Sequence, residues 1–440
     1  MSATAQQIRQ AVAARAADAH KFLAELVSIP SLCGQETAAM ECVERAFSCV
    51  GPTQRAPMKN SLRQDRDYSD PVPDIQYDGR WNVRACLKGQ GGGLRQAQAA
   101  PSKRLQAAIP RGLEASTSRG GKTLLLNAHV DTVPPAQGQA DPFKPVVRNG
   151  AMYGRGSCDA KGQVATAYLA LAALRDLGVP LAGELVAHLV VEEEVGGNGT
   201  LAMVRRGEKA DGCVVLEPTE LRLITSSRGA VWFQIALTGK AGHSGQAGGS
   251  RSALKMAIRV VEILEGYHAR LLAASRGFEL FDKYPNPMPL TIGQCSAGNW
   301  PATAPSEAVL AGVLGLLPNK TAAQVMEEMT AAVRDEGGPD IAQNVKIRFT
   351  YRHDSSVCPT DHALVKELSG ALGAIARPVR IDALTASCDA WFYNNQLKIP
   401  TVVFGGGSLG VAHSANENMP LAELSAAAET IANLAVAWCR

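Results

Sequence analysis

The stretch Thr123–Pro135, TLLLNAHVDTVPP, limits what this chain can fold into more than any other. Apolar strand-forming residues run straight into His129, a branched apolar residue and Asp131, and two prolines then stop the chain from continuing as strand or helix. His129 and Asp131 therefore sit at the mouth of a buried strand. In an open α/β sheet, catalytic and ligand-binding groups collect at the carboxyl ends of strands. Residues two apart on a strand point the same way, so Asp131 can accept from one ring nitrogen of His129, fix its tautomer and free the other nitrogen for a metal. A strand-end His bonded to a neighbouring Asp for purely structural reasons would have the same local sequence.

With 440 residues the chain exceeds one ordinary core and implies two domains. Its 44 Lys and Arg are balanced by 41 Asp and Glu, and a net charge of +3 predicts neither a nucleic-acid nor a membrane-surface partner. The N-terminal stretch reads as an amphipathic helix rather than a secretory signal, and no apolar run is long enough to span a bilayer. The 10 cysteines are scattered without a Cys-x-x-Cys pair, as expected of reduced thiols in a cytoplasmic protein.

The opening pattern recurs. MYGRGSCDAKG, residues 152–162, sets Asp159 after a glycine-punctuated turn and just before a strong helix, where it could cap the helix or face the same crevice as His129. ELVAHLVVEEEVGGNGT, residues 184–200, is an apolar strand ending in Glu192, Glu193 and Glu194, three adjacent acids that are costly to bury without a cation. CVVLEPTE places Glu217 at another strand end, and His413 follows a strand and a Gly-rich turn near the C-terminus. Residues 90–121 change to Gly, Ala, Gln and Ser and predict a long loop, either a lid or a solvated insertion, while Pro52–Tyr77 predicts no definite element. From Ser227 to Val345 the pattern changes to about four strands and two helices, a small α+β unit inserted in the α/β domain.

HVDTVP (129–134), GRGSCDAKG (154–162), EEEVGGNGT (192–200), LEPT (216–219), GKAGHSG (239–245) and AHSANE (412–417) together resemble the ordered motifs of the co-catalytic metallohydrolases. That family includes acetylornithine deacetylase, succinyl-diaminopimelate desuccinylase, aminoacylase and glutamate carboxypeptidase. The resemblance implies an α/β, mixed-sheet catalytic domain of aminopeptidase-like type, residues 1–226 and 346–440, with an inserted ferredoxin-like dimerisation domain at 227–345. It assigns His129, Asp159 and Glu217 to one divalent metal ion and Glu194, His413 and the shared Asp159 to a second. Nitrogen and oxygen ligands without thiolate suit zinc first, with manganese or cobalt as alternatives. Two such ions would balance the three carboxylates and one bridging hydroxide. Asp131 would orient His129, Glu193 would be the general base, and His243 would reach from a second subunit to the developing oxyanion, so that a homodimer is implied.

The sequence also departs from that family. The strand AGVLGLLPN lacks the Arg that grips a substrate carboxylate in many relatives, and SCDAWFY, residues 387–393, keeps Asp389 but brings in Cys388 and Trp391. Asn299 and Trp300 of GNWPAT, together with Asp389 and Trp391, are the expected substrate contacts, with Tyr393 a further aromatic candidate. The leading expectation is hydrolysis of the amide bond of a small N-acyl amino acid or peptide. Removal of an amino group from an aromatic amine is the alternative that the missing Arg and the added aromatics motivate, and a non-catalytic metal scaffold is a third.

Overall fold

The computed structural model describes residues 4–88, 121–243, 245 and 247–440. The loop expected at 90–121 therefore lies outside the described residues, except for Gly121.

Two sheets organise these residues. In the larger, the strands Glu184–Val190, Leu124–His129, Gly212–Val215 and Thr401–Val403 lie side by side and run parallel. Antiparallel strands continue the sheet outward, Trp81–Lys88 and Thr53–Pro57 on one flank, Leu223–Ser227 and Ser356–Val357 on the other. The parallel core is buried on both faces, which explains its apolar runs without alternation. Leu124, Leu126 and Ala128 turn toward one core, built with the helices Ala5–Ser28, Lys161–Asp176 and Leu421–Trp438. Leu125 faces the other, with Val215, Val403, Trp391 and Phe392. All four parallel strands present their carboxyl ends to one side, so residues far apart in sequence meet there.

The second sheet has four antiparallel strands in the order Leu290–Ala297, Glu307–Leu316, Gly229–Thr238, Val345–His353. The helices Ala253–Ala274 and Ala322–Glu336 cover one face and form a separate apolar core with Val231, Phe233, Ile235 and Leu237. The sheet extends to His353, whereas the sequence reading ends the inserted unit at 345. The alternation in VKIRFTYRH marks a half-buried strand, and its pairing with Gly229–Thr238 assigns it to the small sheet. No helix among the described residues is long and apolar enough to cross a membrane.

A ladder of rings joins the two sheets. Trp232 stacks on Tyr351 at 5.5 Å, Tyr351 lies 4.2 Å from His353, and His353 stacks on Trp391 of the larger unit at 4.3 Å. His353 is buried, and neither ring nitrogen has a hydrogen-bond partner among the described residues. Burial accordingly holds its imidazole down at about 3.

The imidazole is thus neutral in the native state but takes up a proton on unfolding anywhere between about pH 3 and 6.5. The unfolded chain binds more protons in that window, so this group's contribution to stability is complete above 6.5 and is lost as pH falls toward 3. His353→Phe keeps a ring in the stack and should flatten the fall in stability across this window, as read by urea unfolding at several pH values. An unchanged slope would show that His353 does not titrate on unfolding.

Candidate metal centre

The site gathers at the carboxyl ends of the parallel core. His129 closes the strand Leu124–His129 and is 1% exposed, with Nε2 3.1 Å from Asp159 Oδ1 and 3.9 Å from Glu217 Oε1. Asp159 does not cap the helix that follows it, which starts at Lys161 with Ala160 at the N-cap and no side-chain cap. Its carboxylate turns instead into the crevice, where Oδ2 lies 3.3 Å from His413 Nε2. The same ring nitrogen is 3.1 Å from Glu194 Oε1. Asp159 thus reaches both imidazoles, one oxygen to each. Donor atoms of His129, Asp159 and Glu194 lie within 4.8 Å of one another, as do those of His129, Glu193 and Glu217.

So many buried carboxylates against two imidazoles leave negative charge uncompensated. Burial raises Glu193 and Glu217 well above the usual carboxylate range and brings Glu194 up to about 7. Burial also pushes Asp159 upward, but its bonds to His129 and His413 prevail and hold it below the ordinary value. Hydrogen bonds to Asp159 and Glu194 lift His413 to about 10. The His129 ring is pulled down by burial and raised more strongly by Asp131 and Asp159. Such a cluster is built to be completed by positive charge.

The three consecutive acids separate into distinct environments. Glu192 has φ +61, the left-handed region that non-glycine residues rarely occupy, and its side chain turns away from the crevice. There it pairs with Arg80 and accepts from the Tyr77 hydroxyl at 2.7 Å, while Arg80 also binds Glu36 at 2.6 Å. Glu193 and Glu194 are left facing the crevice. Asp131 helps to hold them, because its two carboxylate oxygens accept the backbone N–H groups of Glu193 and Glu194, each at 3.1 Å. Its contact with His129 Nδ1 is 3.4 Å from the carboxylate and 3.1 Å from its own carbonyl. Asp131 therefore braces the acidic turn as well as the imidazole. The donor atoms of Cys33, Glu36 and Glu192 also lie close together, but Arg80 already occupies both carboxylates.

Asp389 is buried beside this turn and accepts from Thr200 Oγ1 at 2.5 Å. A side chain on Gly197 would come within 2.5 Å of Asp389 Oδ1 and 2.3 Å of the Phe392 ring, and Gly197 also has φ +68, so only glycine fits. Burial brings Asp389 up to about 6. Trp391, 8% exposed, belongs to the ring ladder, and fully buried Tyr393 gives its hydroxyl to contacts with His188 and Asn127. Among the described residues, His243, Asn299 and Trp300 have no contact with the carboxylate cluster. His243 is exposed in a two-residue pairing with Thr303, and Trp300 is 68% exposed on the intervening turn. The sequence reading missed Tyr77, Arg80 and Glu36. Tyr77 closes a stretch without periodicity, and only folding places it and Arg80 against Glu192.

Replacing Arg80 by Met should cost about 3–5 kcal/mol in urea unfolding, because Glu36 and Glu192 would remain buried without their cation. Glu193→Gln should instead raise the stability of metal-free protein by removing a buried like charge, and a comparable loss in both variants would contradict this division of roles.

The chain is similar to known proteins over most of its length. Residues 125–437 match the profile of peptidase family M20/M25/M40. The chain is 26% identical over 358 residues to the N-formyl-4-amino-5-aminomethyl-2-methylpyrimidine deformylase of Bacillus subtilis (strain 168), covering 74% of this chain and 82% of that protein. It is 24% identical over 396 residues to the acetylornithine deacetylase of Myxococcus xanthus, covering 88% and 98%. The crystal structure of Bacillus subtilis YXEP, a dinuclear metal-binding peptidase of the M20 family, superposes with a TM-score of 0.61 at 14% identity, covering 96% of this chain and 98% of that one.

Proposed function

Because the chain belongs to peptidase family M20/M25/M40, whose relatives here hydrolyse C–N amide bonds, we propose that it holds two divalent metal ions at the strand-end cluster and deacylates a small N-acyl amino acid, peptide or related amide. The donor set fits such ions. Imidazole and carboxylate donors converge within 4.8 Å, their excess negative charge needs cations, and no thiolate takes part. Zinc suits these donors best, and manganese or cobalt is also compatible. His129, Asp159 and Glu217 would hold one ion, Glu194, His413 and the shared Asp159 the other.

The ions would polarise the scissile carbonyl and acidify a water. The remaining work falls to the chain. Glu193 faces the crevice without an ion-pair partner among the described residues, and burial raises its proton affinity well above that of an ordinary carboxylate, the direction a general base needs. It would take the proton from the attacking water and return it to the leaving nitrogen. This free acid beside a complete ligand set is the observation that carries the proposal, and it also argues against a scaffold that has lost catalysis. The aryl-amine alternative keeps only part of its motive, because Trp391 and Tyr393 are packed in the interior rather than presented to a ligand, while the absent Arg and the exposed Trp300 remain.

His243 would complete the site from a second subunit. Two features support a homodimer: among the described residues the edge strand Leu290–Ala297 pairs on one side only within its sheet, and the adjacent helix exposes Leu254 and Ile258. The 10 cysteines are all unpaired, which suits a reducing compartment such as the cytoplasm.

Purified protein should contain close to two metal ions per chain and lose amide hydrolysis on chelation, measured on a panel of N-acyl amino acids, N-formyl amines and dipeptides. Glu193→Gln should retain both ions while kcat falls by about 10²–10⁴-fold. Full turnover in that variant would remove the base assignment. His243→Ala should also be inactive, yet mixing it with Glu193→Gln after subunit exchange should restore activity, since one mixed site then holds both residues. A mixture as inactive as its components would place His243 outside the site.

A further inference from the structure

A buried ion pair beneath the centre has no place in the chemistry above. Arg155 and Glu417 both have side chains at 0% exposure, and their charged ends meet directly. A small ribbon brings them together: Ala151–Tyr153 pairs antiparallel with Asn418–Pro420, with Tyr153 opposite Asn418. Arg155 and Glu417 lie just beyond that register, at the point where the two loops leave for the crevice.

Each partner also holds one of those loops. Glu417 Oε1 accepts the backbone N–H groups of Cys158 and Asp159, both at 3.2 Å. Arg155 Nη2 donates to the carbonyl of His413 at 3.2 Å. His413 has φ +60, an uncommon conformation for a residue with a side chain, and half of its side chain is exposed. By contrast, His129 ends a strand of the parallel core and Glu217 lies two residues beyond another. The ion pair therefore ties together two of the ligands that come from loops, Asp159 and His413, and Glu417, an acid close to the cluster, is committed to Arg155 and two N–H groups rather than to the crevice.

We propose that Arg155 and Glu417 are positioning residues that make occupancy of the second metal position, the one formed by Glu194, His413 and the shared Asp159, depend on their pairing. The inference rests on the two-metal reading above. Loss of the pair releases His413, which serves the second position alone, whereas the first keeps His129 at the end of a core strand and Glu217 two residues beyond another. The two affinities should therefore separate.

Stepwise titration of metal-free protein with zinc by calorimetry, and with cobalt(II) by visible absorption, tests this without relying on activity. Arg155→Met should leave the tighter step within about threefold and weaken the other by about 10–100-fold, the usual effect of removing a group that supports a ligand. If that variant does not fold, Glu417→Gln, which keeps an acceptor for the Asp159 N–H, should show a smaller loss confined to the same step. The double variant Arg155→Met, Glu417→Leu leaves no unpaired buried charge and should again lose the second step selectively. Equal weakening of both steps would mean a general structural role and overturn the proposal, as would two unchanged steps. A wild-type protein that takes up a single ion would fail at the earlier stage, refuting the two-metal reading and this inference with it.

Discussion

Mutual repulsion among buried carboxylates is the constraint around which the rest of this molecule is arranged. Asp159, Glu193, Glu194 and Glu217 are brought to one crevice with, among the described residues, only His129 and His413 to oppose them. Charge of one sign in a poorly solvated place is expensive. The fold meets that cost by fixing the donors through backbone and neighbouring side chains, so that a cation of the right size would find them already oriented.

The fixing is distributed over several devices. The parallel strands hold His129 and direct Glu217. The carboxylate of Asp131 gathers the N–H groups of the acidic turn. Arg80, Tyr77 and Glu36 take Glu192 out of the crevice, and Arg155 with Glu417 ties the loops of Asp159 and His413. Two of the residues held in this way, Glu192 and His413, have positive φ without being glycine. Strain of that kind persists only where surrounding contacts over-determine the conformation, and here it coincides with the site.

The small sheet is joined to this arrangement through the ring ladder from Trp232 to Trp391, which ends close to Asp389 and Gly197. Its packing explains why aromatics that look available in the sequence are not presented to a ligand. A Trp at an uncharacterised turn reads equally as pocket lining or as core, and only the neighbours on the other sheet decide between them. The last strand of the small sheet follows the same logic. Its alternating pattern was visible, but its sheet was not, because pairing with Gly229–Thr238 joins segments more than a hundred residues apart.

The sequence by itself determined which residues are the candidates for the chemistry. Strand ends followed by glycine and proline can be recognised locally, and His129, Asp159, Glu193, Glu194, Glu217 and His413 each stand at such a break, in the order of a family whose motifs the chain repeats. Tertiary structure decided where each acid points. Glu192, Glu193 and Glu194 are chemically identical and adjacent, and only the approach of Arg80 and Tyr77 removes the first while Asp131 retains the other two. The supporting residues were likewise hidden, since an Arg, a Tyr or a Glu in a loop has no periodicity to mark it. Their roles arise from contacts across the fold, such as Arg155 with Glu417, that local sequence does not encode.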